Sequence, residues 1–139
     1  MGSDKAPTAN VLIDCSGSAV GTAEVAITGC TIQHNRNAPN SANIRIIGKD
    51  QSGIGSEKER WGNVTITGNV LSDVMVNIDL QNCRGVVISG NTIWKGYDYG
   101  LLMEGCSNVV FGANLFDANP NYFNKPVPSN RLLVKGCED

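Results

Sequence analysis

Three groups of side chains in this sequence have types suited to chemistry. Arg45, Asp79 and Glu104 combine a fixed cation with two carboxyl groups, which could act as general acid and base in glycoside cleavage at separations of about 5 to 9.5 Å. His34, the only histidine, recurs in register with Asp73 and Lys95, and its imidazole would titrate near neutral pH. The run Trp94-Lys95-Gly96-Tyr97-Asp98-Tyr99-Gly100 places three rings in one predicted turn, with Trp61 one coil earlier. Rings with polar edges make flat platforms for sugar faces, and Lys95 and Asp98 could hydrogen-bond the hydroxyls. Each group also has a plainer reading: an exposed ion-pair lattice worth little per pair, solvent-facing turn residues, and an aromatic turn packed on its own scaffold.

These groups come together only if a repeat brings them together, and the sequence has one. Val25-Ala26-Ile27-Thr28-Gly29-Cys30-Thr31-Ile32, Val64-Thr65-Ile66-Thr67-Gly68-Asn69-Val70-Leu71, Val87-Ile88-Ser89-Gly90-Asn91-Thr92-Ile93 and Val110-Phe111-Gly112-Ala113-Asn114-Leu115-Phe116 share the pattern Val-x-Ile-x-Gly-Asn-x-Ile. The third is aligned here as one residue shorter before its glycine. The turn position falls at Cys30, Asn69, Asn91 and Asn114, at spacings of 39, 22 and 23. A second pattern lies between them: Asn43-Ile44-Arg45-Ile46, Asn77-Ile78-Asp79-Leu80, Leu101-Leu102-Met103-Glu104 and Leu132-Leu133-Val134-Lys135. A fixed period of this size is the mark of a solenoid.

Alternation such as Val64-Thr65-Ile66-Thr67 marks half-buried strands, and no stretch has the period of a helix. A unit of roughly 23 residues with three short strands cannot bury its own apolar face, but stacking at about 4.8 Å turns equivalent positions into continuous ladders. Gly and Asn supply the corner because both tolerate left-handed backbone angles. The expected fold is an all-β, right-handed parallel β-helix of about four to five coils. Asn69, Asn91 and Asn114 should form one column, and Cys83, Cys106 and Cys137 another. Arg45, Asp79, Leu102 and Leu133 should form one outward row, with Ile47, Gln81, Glu104 and Lys135 beside it. The departures from the period mark loops at residues 35–42, 49–62 and 119–130.

Composition narrows the alternatives. At 139 residues, 41% hydrophobic and 17% charged, the chain is sized for one soluble domain, while 16 Gly with few aromatic residues suits short strands and tight turns. A net charge of −2 without a Lys/Arg cluster lacks the footprint of a nucleic-acid binder, and no apolar run approaches a membrane span. Five cysteines without a CxxC pair argue against a zinc site, and buried free thiols are the expected state, with a disulfide between adjacent coils as the alternative. Asn63-Val64-Thr65 matches the N-glycosylation acceptor pattern at the start of a predicted strand. Residues 1–9 read as a leader and residues 10–139 as a single domain. Lys135-Gly136-Cys137-Glu138-Asp139 falls in mid-coil, which predicts either a piece of a longer solenoid or end-to-end association with another copy.

The Val-x-Ile-x-Gly-Asn-x-Ile repeats, above all Val64 to Leu71 and Val87 to Ile93, resemble the pectate-lyase-like superfamily of right-handed parallel β-helices. That superfamily includes polysaccharide lyases, galacturonan hydrolases, alginate epimerases and phage tailspikes. The resemblance implies a polysaccharide lying along the outer face of a sheet, calcium by family likeness only, and a secreted or cell-surface location. It supplies no catalytic residue here, because neither paired hydrolytic aspartates nor an Arg-and-Lys centre has a match. Two functions follow as alternatives: part of a polysaccharide lyase or hydrolase, or a non-catalytic structural or glycan-binding module.

Overall fold

A computed structural model of the chain describes residues 9–15, 24–33, 38–48, 63–117 and 131–135. Every regular element among these residues is a strand. In chain order they are β1 (Ala9–Asp14), β2 (Val25–Thr28), β3 (Thr31–Gln33), β4 (Ala42–Ile47), β5 (Val64–Thr67), β6 (Val70–Ser72), β7 (Val74–Gln81), β8 (Arg84–Ser89), β9 (Thr92–Trp94), β10 (Gly96–Glu104), β11 (Ser107–Gly112), β12 (Leu115–Asp117) and β13 (Arg131–Lys135). They sort into sheet A (β1-β4-β7-β10-β13), sheet B (β2-β5-β8-β11) and sheet C (β3-β6-β9-β12). All pairings are parallel. The chain therefore visits A, B and C in turn, for four circuits and one further strand, as the repeat predicts.

The alternation read from the sequence sets which side chains meet. In β5, Val64 and Ile66 are buried while Thr65 and Thr67 are half-exposed. Sheet A stacks Ile44, Ile78 and Leu101 in one inward column and Ile46, Leu80 and Met103 in the next. Sheet B stacks Ile27, Ile66, Ile88 and Phe111, and sheet C stacks Ile32, Leu71, Ile93 and Phe116. The central members of these columns are wholly buried and form one core with Cys83 and Cys106. Each such Ile or Leu contributes about 1.5–3 kcal/mol relative to exposure, which is why a coil is stable only between neighbours.

The asparagine column is present. Asn69 Nδ2 donates to Asn91 Oδ1 at 3.0 Å, and Asn91 Nδ2 donates to Asn114 Oδ1 at 2.9 Å. The residue before each turn position, Cys30, Asn69, Asn91 and Asn114, has a left-handed backbone, with φ of 65, 66, 66 and 54° at Gly29, Gly68, Gly90 and Ala113. Three of the four positions hold the residue for which that conformation is free of strain.

Two details of the predicted alignment change. Val64 lies opposite Val86, not Val87, and Val86 lies opposite Val109. The third repeat is therefore full length and begins one residue earlier, since its two adjacent valines allow either reading. The run from Gly96 to Gly100 is not a turn but the first half of strand β10. One extra residue there shifts the register between Gly96, opposite Val74, and Tyr99, opposite Val76. Such a bulge bends the strand and re-aims its side chains, which explains why Gly- and Tyr-rich sequence resembled a turn.

Candidate functional site

The outer face of sheet A carries the two predicted rows. Leu12, Arg45, Asp79, Leu102 and Leu133 lie in one, and Asp14, Ile47, Gln81, Glu104 and Lys135 in the other. Arg45 and Asp79 are side by side, with Arg45 Nε donating to Asp79 Oδ2 at 2.7 Å. The exposed ion-pair lattice expected as the plainer reading is not what this pair forms. Arg45 is 8% exposed and Asp79 3%, so the pair is a desolvated bond. Arg45 Nη2 also donates to the carbonyl oxygen of Asn40 at 2.8 Å and to Asn40 Oδ1 at 3.3 Å, while Gln81 Nε2 donates to Asp79 Oδ1 at 3.3 Å.

Both carboxylate oxygens of Asp79 are thus engaged. The Ser41 carbonyl accepts from Val76 N–H at 3.0 Å, so the segment before β4 is held on β7 by backbone as well as by Arg45. Glu104 is exposed and lies diagonally from Asp79, one strand and two residues away. What Arg45 and Asp79 do most directly is hold the segment before β4 against β7.

The corner leading from sheet C into sheet A carries Asp73 and Lys95 of the second predicted group and Trp94 of the third, with Tyr97, Asp98 and Tyr99 following in β10. Leu71 pairs with Ile93 in register, which puts Asp73 and Lys95, two residues further along each chain segment, on successive coils. Both take left-handed backbone angles, φ 58 and 47°. Lys95 Nζ lies 3.3 Å from Asp73 Oδ1 and 4.4 Å from the centroid of the Trp94 ring. Ser72 Oγ donates to Asp73 Oδ2 at 3.0 Å. The ammonium therefore sits between a carboxylate and a π-face, two partners that each attract a cation.

Trp94 occupies an outward position next to inward Ile93 and is half-buried; Tyr97 and Tyr99 are half-buried and Asp98 is exposed. Tyr99 shares the inward alternation of Leu101 and Met103, so the three rings do not form a single flat row. His34 and Trp61 lie outside the described residues.

A feature the sequence reading missed holds this corner in place. Asn10, Asn43 and Asn77 form a second asparagine column along sheet A. Asn10 Nδ2 donates to Asn43 Oδ1 at 3.0 Å, and Asn43 Nδ2 donates to Asn77 Oδ1 at 2.8 Å. Each amide also donates to the last carbonyl of a sheet C strand: Asn10 to Gln33 at 2.6 Å, Asn43 to Ser72 at 2.9 Å and Asn77 to Trp94 at 2.9 Å. Buried backbone carbonyls at a corner need a donor, and these amides supply it. Asn77 thereby positions the backbone of Trp94. The recurring Asn-Ile of Asn43-Ile44 and Asn77-Ile78 was the available signal.

Cys83 and Cys106 align in adjacent coils as expected, buried and free; Cys137 lies outside the described residues. Asn63 is exposed at the corner before β5. Among the described residues, no group of three or more His, Cys, Asp or Glu side chains is placed to hold a metal ion. No helix of the described residues is long and apolar enough to cross a membrane.

The family model described as right handed beta helix region matches residues 9–124. No curated protein and no solved structure matches the chain.

Proposed function

We propose that this chain, which belongs to the right-handed β-helix family, contacts polysaccharide through the corner between sheets C and A and binds it without cleaving it. The observation that carries this reading is Trp94, outward and half-buried, steadied by Lys95 at 4.4 Å beside Asp73, with Tyr97 and Asp98 following in the bulged start of β10. A ring held on a rigid corner offers one apolar face for the C–H side of a sugar. The neighbouring cation, carboxylates and phenol offer hydrogen bonds to its hydroxyls. A glycan ligand accords with a secreted or cell-surface location.

The cleavage reading rests on Arg45, Asp79 and Glu104. Its favourable observation is the adjacency of the first two on the outer row, with Glu104 diagonal. It requires Asp79 to give up Arg45 and Gln81 before it can exchange a proton, and to do so at 3% exposure. Breaking a buried pair in this way costs several kcal/mol, on the order of 3 to 5, which favours binding.

Both readings are separable on a panel of uronic-acid and neutral polysaccharides. Binding is followed by tryptophan fluorescence and calorimetry, and turnover by release of reducing or unsaturated ends. Saturable binding that weakens about tenfold, about 1.4 kcal/mol, in Trp94→Ala without turnover supports the proposal. Turnover that vanishes in Glu104→Gln while Trp94→Ala still binds overturns it.

A further inference from the structure

We propose that Cys83 and Cys106 are a covalent modification site, joining as a disulfide on oxidation and clipping the third coil to the fourth. The register places them opposite one another: Gln81 pairs with Glu104 on one side, and Arg84 with Ser107 on the other. The backbone stays tied through the corner, with Asn82 N–H donating to the Glu104 carbonyl at 2.9 Å and Ser107 N–H to the Cys83 carbonyl at 3.0 Å. Adjacent parallel strands lie about 4.8 Å apart, inside the Cα separation of about 4.4 to 6.8 Å that a disulfide spans.

The two side chains have matching surroundings. Cys83 Sγ lies 3.4 Å from the Gln81 carbonyl oxygen and 3.6 Å from that of Ile46. Cys106 Sγ lies 3.6 Å from the Glu104 oxygen and 3.7 Å from that of Leu80, the residue paired with Ile46. Closure needs one thiol to leave its carbonyls and turn toward its neighbour. The neighbouring Cys106 side chain is the main influence that lowers the Cys83 thiol from its usual range, against the opposing effect of burial.

The other described cysteines do not share this register position. Cys30 is exposed at the corner between sheets B and C, and Cys15 N–H donates to the Ile47 carbonyl at 2.8 Å, which places it one residue short of the Cys83 column.

Oxidised glutathione suffices as the oxidant, and the exchange balances. The Cys83 thiolate attacks one sulfur of glutathione disulfide and expels a glutathione thiolate. The Cys106 thiolate then attacks the Cys83 sulfur and expels the second, so the protein loses two hydrogens and two glutathione molecules gain them. Because both thiols are buried, the bond should form during folding, in an oxidising compartment.

The test is refolding of the full chain from urea in a glutathione buffer, followed by alkylation and a non-reducing peptide map. The expected result is a cross-link between the peptides holding Cys83 and Cys106, with a urea midpoint above that of the reduced protein. A triple variant, Cys15→Ser, Cys30→Ser and Cys137→Ser, should still form it within a single chain, running at monomer mass on a denaturing non-reducing gel, and adding Cys106→Ala should abolish it. Recovery of both residues as alkylated thiols from folded protein, or either one linked to Cys15, Cys30 or Cys137, overturns the assignment.

Discussion

Arg45 and Asp79 show how a bond between two side chains can do opposite things depending on what surrounds it. On an exposed sheet face the pair would contribute almost nothing, but at 8% and 3% exposure each charge depends on the other. Arg45→Met should therefore lower unfolding free energy by about 3 to 5 kcal/mol in urea titration, since it strands the Asp79 carboxylate. The double change Arg45→Met with Asp79→Leu should recover most of that loss. A single variant costing under about 1 kcal/mol would mean that water reaches the pair. Their adjacency was legible from the repeat because one coil of offset carries position 45 to 79 along sheet A. Their burial was not, because alternation within a strand says which side faces outward and nothing about what lies over that side.

Strands and corners divide the labour at the next scale, with apolar columns supplying cohesion and amide columns supplying register. Asn91 is the middle rung: it donates to Asn114 Oδ1 and to the Ile66 carbonyl, and accepts from both the backbone and the side-chain amide of Asn69. Asn91→Ala leaves the Asn69 donors and the Ile66 acceptor unmatched at a buried corner and should cost about 2 to 4 kcal/mol, read as a lower urea midpoint. Ala113 is the one non-glycine in the left-handed column, so Ala113→Gly should stabilise by about 0.5 to 1 kcal/mol, the relief of backbone strain exceeding the added entropy of the unfolded chain. The first asparagine column was legible because Asn69, Asn91 and Asn114 recur at nearly one coil length. The column of Asn10, Asn43 and Asn77 was not, because insertions stretch its intervals and Gly100 takes the next place in register after Asn77.

At the scale of the whole molecule, five of the seven exposed large apolar side chains among the described residues lie on β11, β12 and β13, the last strands of the three sheets. Phe111, Leu132 and Val134 occupy positions whose neighbours one coil earlier, Ile88, Leu101 and Met103, are buried, yet they are 38, 51 and 47% exposed. Leu115 and Val110 beside them are 58 and 62% exposed. Strand edges that carry apolar inward positions favour pairing with another strand, and charge placed at such positions opposes it. We infer that the isolated chain self-associates end to end through this face. Light scattering should show an average mass that rises with concentration, and Phe111→Lys with Leu132→Lys should return it to the monomer without lowering the unfolding free energy by more than about 1 kcal/mol, because both sites are already partly hydrated. A strict monomer at high concentration, or association unchanged in the double variant, would place the contact elsewhere. The same double variant leaves Trp94 and Lys95 untouched, so glycan binding that persists in it separates the corner site from any avidity that assembly confers.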